Sequence, residues 1–198
     1  MIALLDTSED LDVCAAELDM QVGQLITPLT EFANRGGTFA IDNGAFSNFD
    51  SRKFLRLLER NKAHRDKCIF VAAPDVVGSA RRTLEVFHHW FPKLHGWPIA
   101  LVAQDGQEDL PIPWHAIEAV FIGGSTQFKL SPAAAQIVKA AKAIGKWVHI
   151  GRVNTPERFD YFLSLGADSI DGSGIARYSH MRRELKAEVL FDCGRAAR

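Results

Sequence analysis

Short apolar or β-branched runs recur along the chain, and between them lie stretches where apolar residues return every three or four positions. The runs are Ile2 to Leu5, Thr38 to Ile41, Cys68 to Ala73, Ile99 to Ala103, Ala119 to Ile122, Trp147 to Ile150 and Ala167 to Ile170. Their nearly unbroken apolar character suits parallel strands covered on both faces. The intervening stretches open with helix-start signals. Asp50-Ser51 precedes Phe54, Leu55, Leu57 and Leu58, and Ser131-Pro132 offers a cap and a first-turn proline before a helix that Gly145 stops. Thr155-Pro156-Glu157 repeats the device, with Gly166 as its stop. His88-His89 falls inside a further packed helix pattern, Leu84 to Phe91.

Strand, polar turn and helix in repetition predict an α/β fold with a parallel sheet. Seven strands are evident; Val22 to Thr27 is the candidate eighth, with Leu29 to Arg35 as a short helix after it. The expected architecture is a compact (β/α)8-type TIM barrel with at most one missing or irregular strand, a single domain over residues 1–198. An open doubly wound sheet is the alternative. A barrel from so short a chain needs trimmed helices and loops.

Composition changes this picture little. At 47% hydrophobic and 24% charged residues, the chain has the make-up of one globular domain with a real core. No apolar stretch reaches about 18 residues and no basic flank or cleavage site frames the N-terminus, so a cytoplasmic protein with no membrane contact is expected. Cys14, Cys68 and Cys193 are few and far apart, which argues against a disulfide framework and a zinc site. A net charge of −1 means that any contact with a polynucleotide uses a local basic face.

In parallel barrels chemistry collects where strands end. Here the runs lead into Asp42-Asn43-Gly44, Pro74-Asp75, Gln104-Asp105, Gly123-Gly124-Ser125, Gly151-Arg152 and Asp171-Gly172-Ser173-Gly174. Each alone is an ordinary cap or turn. Together they put acids, an amide, glycines and an arginine on one rim. Paired carboxylates suit a glycosidic bond, one as nucleophile and one as acid or base. An acid, an amide and glycine backbone suit a purine edge.

In this order the motifs resemble the tRNA-guanine transglycosylase superfamily, most closely its short phage and bacterial DNA-modifying branch, the DpdA-like transglycosylases. Phe39-Ala-Ile-Asp42-Asn-Gly-Ala-Phe46 is similar to the family's Asp-Ser-Gly-Gly-Phe segment. Gly151-Arg-Val-Asn-Thr-Pro-Glu157 and Gly166-Ala-Asp-Ser-Ile-Asp171-Gly-Ser-Gly-Ile-Ala-Arg177 are similar to its Gly-x-Gly-Thr-Pro-Glu segment and nucleophile motif. The resemblance implies Asp171 as nucleophile, Asp42 as acid and base, and Asp75, Gln104, Gly123 and Gly124 as purine ligands. Asn43, in the place of the family's serine, joins the expected substrate contacts with Arg152. Ala45, Gly172 and Ile175-Ala176 also depart from the family pattern.

The activity that the resemblance implies is base exchange: guanine in a polynucleotide replaced by a free 7-deazaguanine, such as 7-cyano-7-deazaguanine, with no metal and no cofactor. The family's C-terminal zinc-binding extension has no counterpart before Arg198, which favours DNA over tRNA. Arg177, Arg182 and Arg183, with Lys186, are the candidate phosphate contacts, a solvated helix face being the alternative for the last three. The competing readings are a phosphate-binding barrel lyase or isomerase, with Gly123-Gly124-Ser125 and Gly151-Arg152 on the phosphate, and a non-catalytic nucleic-acid-binding relative.

Overall fold

The computed structural model describes residues 1–185. Eight parallel strands follow one another around a closed barrel: β1 (Ile2–Leu5), β2 (Gln21–Ile26), β3 (Phe39–Ile41), β4 (Cys68–Ala72), β5 (Ile99–Ala103), β6 (Ala119–Ile122), β7 (Trp147–Ile150) and β8 (Ser169–Ile170). Closure comes from β1, which pairs with β2 on one side and with β8 on the other, Ile2 opposite Ser169. The expected (β/α)8 TIM barrel is therefore the fold, and the Val22 to Thr27 segment supplies its eighth strand.

The helices are α1 (Leu11–Leu18), α2 (Ser51–Asn61), α3 (Ala80–Trp90), α4 (Thr126–Lys129), α5 (Pro132–Ala143), α6 (Pro156–Ser164) and α7 (Ser173–Arg177). The foreseen caps are in place. The Asp50 carboxylate accepts from the Arg52 and Lys53 N–H groups, and the Ser131 hydroxyl accepts from that of Ala134. Gly145 and Gly166 take positive φ where the chain leaves α5 and α6.

Trimming occurs at two crossovers. The β5–β6 connection carries only short 3-10 turns, at Gln107–Asp109 and Trp114–Ala116. The β2–β3 connection contains no helix, which corrects the expectation for Leu29 to Arg35. Glu31 there adopts a left-handed φ of 49°, which stops helix propagation. The Gln24 side chain then holds the loop in open form, donating to the Ala33 carbonyl and accepting from the Arg35 N–H.

Two apolar layers hold the barrel. Leu4, Leu25, Phe70, Val102 and Phe121 fill its interior, and larger clusters lie between strands and helices, such as Phe54, Leu57, Phe87 and Trp90 under α2 and α3. His88 and His89 are exposed on α3, their rings meeting those of Phe87 and Trp90 edge-on. Among the described residues no helix is long and apolar enough to cross a membrane.

Residues 179–185 are helical and tie the end of the described chain to its start. Arg182 is the tie. Its guanidinium is fully buried, pairing with Glu17 at 2.6 Å and with Glu9, and donating to the Ile175 carbonyl at 2.9 Å. This corrects the expectation of Arg182 as a phosphate contact, since a buried, fully engaged guanidinium has no face for a polynucleotide. Arg183 is exposed and leans on Glu17 and Ser179. Lys186 and Cys193 lie outside the described residues. Breaking a buried ion pair strands its partners, so Arg182→Ala is expected to destabilise the fold by on the order of 3 kcal/mol. The exposed Arg183→Ala control should cost about 0.5 kcal/mol or less. Urea unfolding of the two variants checks this, and equal midpoints would refute the role given to Arg182.

Candidate active site

Side chains alternate along a strand, so a residue two positions beyond an inward-facing one points inward as well. Leu4, Leu25, Ala40, Val102 and Phe121 belong to the interior cluster. Two positions on stand Asp6, Thr27, Asp42, Gln104 and Gly123, and the same step from His149 and Ser169 reaches Gly151 and Asp171. All seven line one cavity, together with Asp75 and Arg177. Its volume is about 380 Å³, toward the small end of the roughly 300–1,000 Å³ of small-ligand sites. The site is thus the top layer of the barrel interior, where apolar filling gives way to carboxylates.

Asp171 is braced at both oxygens. Oδ2 lies 3.0 Å from His149 Nε2, and Oδ1 accepts from the Arg152 backbone N–H at 2.9 Å. The side chain is 13% exposed and reaches the cavity. Arg152 aims its N–H there by adopting a left-handed φ of 61°, a strained conformation for a side chain of this kind. Gly151 must be glycine because a Cβ would stand 2.5 Å from the Phe121 ring. The Gly151–Arg152 peptide is held from its other end too, since buried Lys129 donates to the Gly151 carbonyl at 2.6 Å. Burial and the nearby Arg152 lower the Lys129 ammonium to about 8, against the pull of Asp171.

Asp42 lies deeper. Burial pushes its carboxyl up to about 7, and the neighbouring charges of Asp171, Asp75 and Asp6 push the same way. A hydrogen bond from the Gly44 N–H, 2.6 Å from Oδ1, opposes the shift without cancelling it. Burial, with the neighbouring carboxylates adding to it, therefore favours the protonated form of Asp42 toward neutrality, as acid catalysis requires.

Asp75 is held as a fixed acceptor. Asn43 Nδ2 donates to its Oδ1 at 2.8 Å and Gln104 Nε2 to its Oδ2 at 2.6 Å. Asn43 also donates to the Ala73 carbonyl, and Gln104 Oε1 accepts from the Gly78 N–H. Both amides line the cavity, as expected of substrate contacts, and their hydrogen bonds also orient Asp75. The Gly123 N–H is likewise occupied, donating to the Ala103 carbonyl in the barrel ladder. That corrects its expected role as a donor to substrate. The Gly124 carbonyl accepts from the Arg152 guanidinium, which also lies 4.3 Å above the exposed Phe46 ring across the mouth.

Three contributors are absent from the set expected from sequence. Asp6 closes β1 as Asp42 closes β3, and the same strand-end rule would have found it. Thr27 and Thr30 donate to it, while burial raises its carboxyl. Lys129, in a short helix, carried no comparable signal, while His149, inside a strand beside the Gly151-Arg152 motif, reads from sequence as core or supporting packing. Gly172, which departs from the family pattern, has a local cause, because a Cβ there would stand 2.3 Å from the Val153 carbonyl oxygen. Among the described residues no His, Cys, Asp and Glu group is set to hold a metal ion.

Neither a family model nor a curated protein matches the sequence. Solved structures match in shape. A flavocytochrome b2 mutant superposes with a TM-score of 0.51 at 15% identity, over 97% of this chain and 62% of that one. Phosphoribosyl anthranilate isomerase from Thermus thermophilus gives 0.48 at 14% identity, over 96% and 98% of the two chains. Neither of these proteins is described as a transglycosylase. At such identities the likeness concerns architecture alone, and the barrel itself is read from the closed pairing of the eight strands.

Proposed function

We propose that this protein is a base-exchange transglycosylase, replacing guanine in a polynucleotide with a 7-deazaguanine through a glycosyl ester on Asp171. The observation that carries this reading is the pairing, in one cavity of about 380 Å³, of a carboxylate braced at both oxygens with a second carboxyl that burial pushes up to about 7. A nucleophile and a proton carrier are the two groups that exchange at a glycosidic bond needs.

The target nucleotide leaves its stack to enter the cavity. An Asp171 oxygen attacks the anomeric carbon, the bond to the guanine nitrogen breaks, and the departing base takes the Asp42 proton. The incoming 7-deazaguanine gives its ring N–H proton to the Asp42 carboxylate as its nitrogen displaces Asp171 from the sugar. Each group ends the cycle as it began. Asp75 and Asp6 offer acceptors to the donor-rich edge of guanine, whose ring N–H and amino group seek carboxylate oxygens. Arg177 and Arg183 are the remaining candidate phosphate contacts, Arg177 at the cavity itself. Resemblance to the short DNA-modifying branch makes DNA the first polymer to test, ahead of tRNA.

The phosphate-binding alternative fits less well. Asp6, Asp42, Asp75 and Asp171 surround the space a phosphate would enter. The backbone donors that reading would use are also occupied: the Gly123 and Gly151 N–H groups donate to the Ala103 and Ile122 carbonyls, that of Ser125 to Asp105 and that of Arg152 to Asp171.

Two outcomes are expected. With guanine-containing DNA, wild type should form a denaturation-resistant protein–DNA adduct, and nucleoside mass spectrometry should find the deazaguanine inserted. Asp171→Asn should lose both by at least about 1,000-fold, and an exchanging mutant would end this assignment. For pH, a raised carboxyl pKa means that the acid form persists below about 7 and is lost above it. The kcat/KM for the polynucleotide should therefore fall as pH rises through about 7, and Asp42→Asn should remove that limb along with most of the rate. A profile flat from pH 6 to 8 in wild type contradicts the role of Asp42.

A further inference from the structure

His149 is fully buried inside the barrel, its ring 4.9 Å from that of Phe70 and 4.4 Å from that of Phe121. An imidazole among aromatic rings has to satisfy both nitrogens. Nδ1 lies 2.9 Å from Ser169 Oγ, and Ser169 Oγ lies 2.8 Å from the Trp147 indole nitrogen. With Nε2 3.0 Å from Asp171 Oδ2, four side chains form one line along the barrel axis, from the floor to the cavity.

The direction of the hydrogens along this line is set by what each group can do. An indole N–H only donates, so Ser169 accepts from Trp147. A carboxylate only accepts, so His149 Nε2 must carry the hydrogen it gives to Asp171. In the neutral ring Nδ1 is then an acceptor, and the Ser169 hydroxyl supplies its hydrogen. Every polar atom is satisfied in this arrangement. The opposite tautomer would set the bare Nε2 lone pair against Asp171 Oδ2, two acceptors face to face.

We propose that His149 is the positioning residue of Asp171: held as the Nε2–H tautomer by Ser169 and Trp147, it fixes Oδ2 while the Arg152 N–H fixes Oδ1. Its value to catalysis rests on the base-exchange reading, whereas the hydrogen-bond line does not. With both oxygens held, the carboxylate is fixed in one orientation at the cavity wall. Removal of the ring donor leaves Oδ2 to cavity water and the carboxylate free to turn.

The test has a spectroscopic arm and a kinetic arm. In protein labelled with 15N-histidine, the His149 signals are identified by their loss in His149→Gln, and their shifts report the tautomer. Wild type should be Nε2–H. Asp171→Asn should flip it, because the Arg152 N–H takes the new amide oxygen and the NH2 group then faces His149, which must accept. A wild-type ring that is Nδ1–H, or a ring still Nε2–H in Asp171→Asn, overturns the proposal. In the kinetic arm, His149→Leu should slow adduct formation on DNA on the order of 100-fold in kcat, with KM unchanged. His149→Gln, whose amide nitrogen can take the place of Nε2, should recover most of the rate. An undiminished rate in a folded His149→Leu overturns the positioning role; should that variant fail to fold, His149→Gln and the ring shifts decide. Wild type forming no adduct counts against base exchange, and the tautomer result then decides the role of His149.

Discussion

Inward-pointing side chains in a closed parallel barrel have nowhere to go but the axis, and here they fill it with apolar groups up to one level and with carboxylates above it. Leu4, Leu25, Val102 and Phe121 are the last apolar layer, and Asp6, Asp42, Asp75 and Asp171 crowd the next. The distinctive chemistry of the site arises from that change of layer. Charges placed over a dry floor lose hydration on one side and repel one another across the cavity. The cheapest response is to keep a proton, and Asp42, pressed by burial and then by three neighbouring carboxylates, is the group driven up to about 7.

The other carboxylates are controlled by hydrogen bonds. Asp75 has an amide on each oxygen, Asp6 has two threonine hydroxyls, and Asp171 has a ring nitrogen on one oxygen and a backbone N–H on the other. Each donor is anchored in turn: Asn43 on the Ala73 carbonyl, Gln104 on the Gly78 N–H, the Arg152 peptide on Lys129. A buried polar network confers rigidity only when every member is satisfied. Thr27, Asn43, Gln104 and Arg152 line the cavity themselves, with His149 and Lys129 behind them, and together these donors decide where the cavity's oxygens point. Arg152 illustrates the cost, since its left-handed backbone is tolerated because it delivers the N–H that Asp171 needs.

Trimming the barrel left some ends to be secured by polar ties. The β2–β3 loop hangs on the Gln24 amide, and the helical end of the described chain is locked to α1 by Arg182 between Glu9 and Glu17. The Glu17 carboxyl is held down to about 2 by the Ser179 hydroxyl together with Arg182. Basic residues close in sequence thus diverge in purpose. Arg177 opens onto the cavity, while Arg182 is sealed into the body of the protein.

The alternation of apolar runs and capped helices was sufficient to specify an α/β fold with a parallel sheet and to favour a barrel, because strands buried on both faces leave a strong signal; that the sheet closes, and that Val22 to Thr27 is its eighth strand, only the pairing of β1 with β2 and β8 decides. Strand ends were legible as well, and period two is enough to place Asp42, Gln104 and Asp171 on one rim; applied without exception it reaches Asp6. What sequence could not decide is how polar atoms are shared across strands. Whether Gln104 meets a ligand or Asp75, whether the Gly123 N–H is free or tied to Ala103, and whether Arg182 faces solvent or Glu17 depend on contacts between residues many positions apart. His149 is the sharpest case: within β7 it reads as one residue of a strand, and only the closing of β7 against β8 sets it between Ser169 and Asp171. Local pattern fixes which way a side chain points, and tertiary structure alone decides what it meets there.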